Sequence, residues 1–186
     1  MPQRMFVAVV PPQEVLEELA DFLAPREGMP WIDPGQWHLT LAFMPSVPQA
    51  REDELVEHLD SAAARVAPFD VQLGGAGCFP DPTRAKVLWL GVDAAAGESL
   101  TRLATGARAA ANVSGATPDG RAFVPHLSLA RLKRPIEATR WLRVLETFRS
   151  SPWRVREIEL VASHLGEGPR RRPRYETVAR AALSGE

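Results

Sequence analysis

Cys78 is the only cysteine in the 186 residues, so an intrachain disulfide, a CxxC redox pair and a multi-thiolate zinc site are all excluded. Cys78 itself is expected to be a small buried apolar residue. Long apolar runs are lacking too. The run from Met5 to Val10 covers six residues and stops at Pro11-Pro12, too short for a signal-peptide core or a membrane span. The expected location is therefore the cytoplasm, without a membrane partner. Nor does either sign of charge dominate, since 22 Lys and Arg face 23 Asp and Glu for a net charge of −1. That balance argues against long tracts of nucleic acid as a partner and leaves a small or terminal piece of RNA open. Histidines number four, and no HExxH or carboxylate-histidine cluster occurs among them, so neither a metal site nor a cofactor is expected.

What is present suffices for a real core, because 45% of the residues are hydrophobic. The 17 prolines fall mostly between periodic segments and act as punctuation, with no linker among them. A strand at residues 4–10 leads to a helix whose positions Val15, Leu16, Leu19, Ala20, Phe22 and Leu23 follow the 3.6 period, ended by Pro25 and Gly28. A strand follows at 37–43. Glu52, Asp53 and Glu54 then open a helix at its positive end, with Leu55, Val56, Leu59, Ala63 and Val66 as its apolar face. Phe69, Val71 and Leu73 alternate as a third strand. The second half repeats the order with a strand at 86–92, a helix at 97–111, a strand at 122–129, a helix at 137–148 and a strand at 154–162. Each half thus reads β-α-β-α-β. The expected organisation is one domain over 1–186 built from a duplication, with repeats at about 1–80 and 81–165 and an unmatched last strand at 174–183.

The duplication is visible in residues. His38-Leu39-Thr40-Leu41-Ala42-Phe43 and His126-Leu127-Ser128-Leu129-Ala130-Arg131 match at five of six positions when Thr and Ser are counted alike, and the histidines lie 88 residues apart. In a strand, alternation turns His38 and Thr40 to one face and Leu39 and Leu41 to the other, and likewise His126 and Ser128 against Leu127 and Leu129. One such motif is a weak signal. Two near-copies are stronger, because packing would retain the leucines but has no need of an imidazole and a hydroxyl on the opposite face. Brought together about a pseudo-twofold, the four groups suit in-line cleavage of a phosphodiester. A neutral imidazole takes a proton from water, a protonated one supplies the leaving oxygen, and the hydroxyls hold the non-bridging oxygens. Both protonation states are available because free histidine titrates near pH 6.5.

The same residues resemble the two-histidine (2H) phosphoesterases, and within them the bacterial RNA 2',3'-cyclic phosphodiesterases, also described as LigT-type 2'-5' RNA ligases. The resemblance runs nearly end to end. It covers Arg4-Met5-Phe6-Val7-Ala8-Val9-Val10-Pro11-Pro12, Trp37 to Phe43, Phe79-Pro80 with Val87 to Val92, Phe123 to Arg131, Ser163-His164-Leu165-Gly166 and Tyr175-Glu176. It implies a bilobal α+β fold in which two antiparallel sheets, flanked by helices, border a central groove. It implies hydrolysis of RNA 2',3'-cyclic phosphate ends to 2'-phosphomonoesters without metal, and a reverse joining of 2'-5' ends at the same site. By motif position it makes His38 the general acid and His126 the general base, with Thr40 and Ser128 on the phosphate; Ser128 stands where threonine is usual. RNA ends or small cyclic nucleotides are the expected partners, and a monomer the expected state. The competing functions are a phosphodiesterase for another small cyclic phosphate, such as ADP-ribose cyclic phosphate, and a non-catalytic RNA-binding module.

Arg131 is a further substrate-binding candidate, since a guanidinium grips phosphate through two hydrogen bonds. Parity opposes it: in a regular strand an odd position turns away from His126 and Ser128, so a bulge or a strand end would be required. Phe43, its counterpart, could stack on a base, although closing the core is its expected role. Tyr175 and Trp89 could border the groove, although packing is the expected role of Trp89. Arg170, Arg171, Arg172 and Arg174 could steer RNA by long-range attraction or form a solvated loop. His58 is expected to be exposed, and His164 carries no assignment.

Overall fold

A computed structural model describes all residues from 1 to 186. Its strands are β1 (Gln3–Val9), β2 (Leu39–Val47), β3 (Phe69–Val71), β4 (Leu73–Phe79), β5 (Ala85–Val92), β6 (Leu127–Ile136), β7 (Trp153–Val155), β8 (Glu157–His164) and β9 (Arg174–Ala182). The helices are α1 (Gln13–Leu23), α2 (Glu52–Ala63), α3 (Ala94–Val113) and α4 (Thr139–Leu145). Amphipathic spacing explains the helices. Val15, Leu19 and Leu23 of α1, and Leu55, Leu59 and Ala63 of α2, recur every fourth residue and are the buried positions. The carboxylate of Asp93 caps α3 by accepting from the Ala96 N–H at 3.1 Å, which starts that helix earlier than its apolar pattern indicates.

The strands form two antiparallel sheets. One has seven strands in the order β4-β5-β6-β2-β1-β8-β9, the other is the pair β3-β7. The order is symmetric about the junction of β6 and β2, as duplication requires. β5 and β6 of the second half mirror β1 and β2 of the first, but the third strands are exchanged: β4 pairs with β5, and β8 with β1. β3 and β7, equivalent segments, pair with each other through Asp70↔Arg154. β9 adds to the edge beside β8 and has no counterpart, as its sequence position indicates. No helix is long and apolar enough to cross a membrane.

Most of the apolar side chains form one core, and Leu39, Leu41, Leu127 and Leu129 are each at most 1% exposed in it. A second, small cluster of Phe6, Ala8 and Val161, flanked by Phe43 and Tyr175, is separate from it. β1 is therefore buried on both faces from Met5 to Val9, with Met5, Val7 and Val9 in the main core and Phe6 and Ala8 in the small one. Cys78 is half-buried against the main core.

Several boundaries differ from the sequence reading. β4 went unseen because Gly74, Gly75 and Gly77 lie in it and glycine has low strand propensity. Gly77 is required where it stands, because a Cβ there would lie 2.2 Å from the indole of Trp89, its cross-strand partner. β6 starts after residue 126 and runs on to Ile136 through a charged stretch to which the sequence pattern assigns no element, paired to β5 by Ala85↔Ile136.

Candidate active site

The two symmetric halves of the seven-stranded sheet meet at one ladder pair, Leu39↔Leu127, between β2 and β6. Both leucines are buried, so the residues on either side of each face the other way. Continuing the antiparallel register by one residue sets His38 across from Ser128, and Thr40 across from His126. Each imidazole thus faces the hydroxyl of the other motif as well as neighbouring its own. All four side chains line one groove of about 320 Å³.

Each histidine sits just before its strand, and its ring is held in the same way. His38 Nδ1 lies 2.7 Å from the Gln36 carbonyl and His126 Nδ1 lies 2.6 Å from the Val124 carbonyl. A carbonyl only accepts, so both Nδ1 atoms carry hydrogen and both Nε2 atoms are left for proton transfer. Aromatic rings fix the remaining freedom. Phe6 stacks on His38 at 4.5 Å between centroids, with Tyr175 edge-on at 5.7 Å. Phe79 and Trp89 flank His126 at 5.0 and 5.7 Å. Trp89, expected as packing, thus packs directly against a candidate catalytic ring.

Arg131 lines the groove despite the parity argument. The reason is a β-bulge. Along β5 and β6 the partners run Trp89↔Ser128 and then Leu88↔Ala130, leaving Leu129 unpaired. One extra residue restores position 131 to the face of Ser128. The carbonyl of Leu129 accepts instead from the Ile32 N–H at 2.7 Å, which holds Trp31 and Ile32 against the groove. The first copy has the same irregularity: β1 pairs Ala8↔Thr40 and Val7↔Ala42 and skips Leu41. Phe43 accordingly lies with the small cluster, its ring under the guanidinium of Arg4 at 4.4 Å, and not in the main core.

Sequence reasoning missed Gln36, Pro30, Trp31 and Ile32, which also line the groove. Gln36 had a signal in Asp33-Pro34-Gly35, a turn sequence in which the Asp33 carboxylate accepts from the Gly35 N–H at 2.9 Å. Tyr175 and Arg172 border the groove, while Arg174 is neutralised by Glu167 and Glu176. His164 pairs with Glu176 at 2.8 Å outside the groove lining, and His58, expected to be exposed, is half-buried beside Glu54 on α2. No three His, Cys, Asp or Glu side chains converge in a way that could hold a metal ion.

Proton affinities in the groove are low. Burial pushes His38 down to about 4, aided by the positive charge of Arg131 and by His126, against the opposing bond to the Gln36 carbonyl. Burial also lowers His126, again with Arg131 contributing and the bond to Val124 opposing. This has a consequence for stability. The unfolded chain protonates His38 near pH 6.5, whereas the folded chain resists until about pH 4, so acid favours unfolding across that window. Stability should rise with pH from 4 to 6.5 through this group and be indifferent to it above, by up to about 3 kcal/mol. Relative to the wild type, His38→Ala should therefore be more stable at pH 4.5 than at pH 7.5 by about 1–3 kcal/mol in urea denaturation. An equal difference at both pH values would show that His38 titrates normally.

Known proteins resemble this chain over most of its length. Residues 9–167 match the model of the 2'-5' RNA ligase superfamily. The chain belongs to that superfamily. Superfamily relatives include proteins named RNA 2',3'-cyclic phosphodiesterase from Thermus thermophilus, 32% identical over 98% of this chain and 91% of the relative, and from Escherichia coli K12, 31% identical over 98% of each. One from Aquifex aeolicus is 32% identical over 73% of each. Among solved superfamily structures, E. coli LigT complexed with 3'-AMP superposes with a TM-score of 0.77 at 30% identity, over 99% of each chain. A Thermus thermophilus protein gives 0.76 at 31% identity, over 98% of this chain and 99% of that one.

Proposed function

We propose that this chain is an RNA 2',3'-cyclic phosphodiesterase that opens a cyclic phosphate end to a 2'-phosphomonoester by two-imidazole acid-base catalysis. The observation that carries this reading is the register at Leu39↔Leu127, which sets two imidazoles and two hydroxyls around one groove. Relatives with this name, and a LigT structure holding 3'-AMP, support it.

A neutral imidazole removes a proton from water as its oxygen attacks phosphorus. The P–O3' bond breaks, and a protonated imidazole delivers hydrogen to O3'. Thr40, Ser128 and Arg131 donate to the non-bridging oxygens as charge accumulates there. The resemblance makes His38 the acid and His126 the base, yet the protein's own surroundings push His38 down to about 4. A bound phosphate reverses this, since a negative charge in contact favours the protonated imidazole. If a 5'-hydroxyl replaces water, the same bond breaks and a 2'-5' linkage forms, so ligation needs no further residue.

In EDTA the protein should convert 2',3'-cyclic AMP, or an RNA bearing that end, to the 2'-phosphomonoester. A strict need for added divalent metal, or a 3'-phosphate product, would overturn the mechanism.

A further inference from the structure

We propose that Arg172 forms a second phosphate subsite in this groove, which takes the 5'-phosphate of the terminal nucleotide where that phosphate links it to an RNA strand. This rests on the function proposed above and goes beyond it by naming how a strand end is told from a free nucleoside cyclic phosphate. Two guanidinium groups, Arg131 and Arg172, face the groove, and no Asp or Glu lines it. Neither arginine has an ion-pair or hydrogen-bond partner for its side chain, whereas Arg174, two residues on, is engaged by Glu167 and Glu176. Unpaired guanidiniums gathered at one groove in a chain of net charge −1 point to an anionic ligand with more than one charged group.

The two arginines are not equivalent. Arg131 stands on β6 on the same face as Ser128, beside the position of the reacting phosphate, while Arg172 reaches the groove from the loop between β8 and β9. Arg172 therefore serves a group further from the reaction. In a nucleotide whose O2' and O3' are both tied up in the cyclic phosphate, the only other phosphate is on O5'.

The backbone is built to present Arg172. Arg170 and Arg171 are consecutive non-glycine residues in the left-handed region, with φ of 56° and 61°. Such strain persists where surroundings over-determine it. Here the Gly168 N–H donates to the Arg172 carbonyl at 2.8 Å, the Arg172 N–H donates to that of Pro169 at 3.1 Å, and Gln36 Nε2 donates to the Pro173 carbonyl at 2.7 Å. The last bond ties the loop to the residue whose own carbonyl orients His38.

The test compares cytidine 2',3'-cyclic phosphate with a free 5'-hydroxyl, its 5'-phosphorylated form, and a dinucleotide ending in the same cyclic phosphate. Wild type should prefer both 5'-substituted substrates in kcat/KM by about tenfold or more, the scale of one charge-assisted hydrogen bond. Arg172→Ala should bring that ratio close to one, and Arg171→Ala should leave it as in wild type. Calorimetry with adenosine 2',5'-bisphosphate against adenosine 2'-monophosphate reads the same preference without turnover. If no cyclic substrate is opened yet Arg172→Ala abolishes the bisphosphate advantage, the proposed activity fails and the subsite stands. A wild-type ratio near one, or a ratio that survives Arg172→Ala, overturns the subsite. A preference confined to the free 5'-monophosphate overturns the strand as its source.

Discussion

Replacing either imidazole by a methyl group, as His38→Ala or His126→Ala, is expected to lower turnover of a 2',3'-cyclic phosphate by about 10²- to 10⁴-fold, the usual contribution of a positioned acid or base. The two losses should not multiply. Acid and base serve one proton inventory in one transition state, so once one is gone the other has little left to do, and the double variant should be scarcely slower than the worse single one. KM should change less than kcat, because in the proposed mechanism Thr40, Ser128 and Arg131 hold the phosphate in each variant. Single variants also assign the roles, since loss of the acid removes the high-pH limb of the profile and loss of the base removes the low-pH limb. His38→Ala should remove the high-pH limb. A fall of less than tenfold in either variant would remove that residue from the mechanism, and multiplicative losses would show that the two act independently.

Leu127→Ala is expected to destabilise the fold by about 2–5 kcal/mol, which for a chain of this size is roughly 4–20 °C in Tm. Leu127 is fully buried and stands opposite Leu39 at the only ladder pair joining β2 to β6. Truncation removes apolar contact and leaves a void where the two halves of the sheet meet, and close packing on both sides limits collapse into it. Because His126 and Ser128 flank this residue, turnover should fall in the folded variant too, with a smaller effect than loss of either histidine. Thermal and urea unfolding would measure the first effect. A cost below about 1 kcal/mol would mean that the junction closes around the smaller side chain.

The legible part of this protein was local. His38-Leu-Thr40 and His126-Leu-Ser128 announce themselves because strand alternation and a near-repeat are properties of short stretches. The amphipathic spacing of Val15, Leu19 and Leu23, and of Leu55, Leu59 and Ala63, likewise needs no partner to be read. β4 was hidden for the complementary reason. Its glycines lack strand propensity, and what holds it is pairing with β5 and the flat indole of Trp89 lying over Gly77.

Arg131 marks the boundary between the two kinds of information. Counting positions along an ideal strand turned it out of the groove, and that count was sound for the residues themselves. The skipped partner at Leu129 arises between β5 and β6, with the freed carbonyl taken up by Ile32 from nearly a hundred residues earlier. The placement of Arg172 beside the groove, the exchange of β4 and β8 between halves, and the depression of both imidazoles are of the same kind. Covalent spacing and the pleat, both written in the chain, dictate which groups are available and on which face each motif offers them. Which of those groups share the groove, and how readily they hold protons, follows from register, bulges and burial, and these are set by segments far apart in the chain.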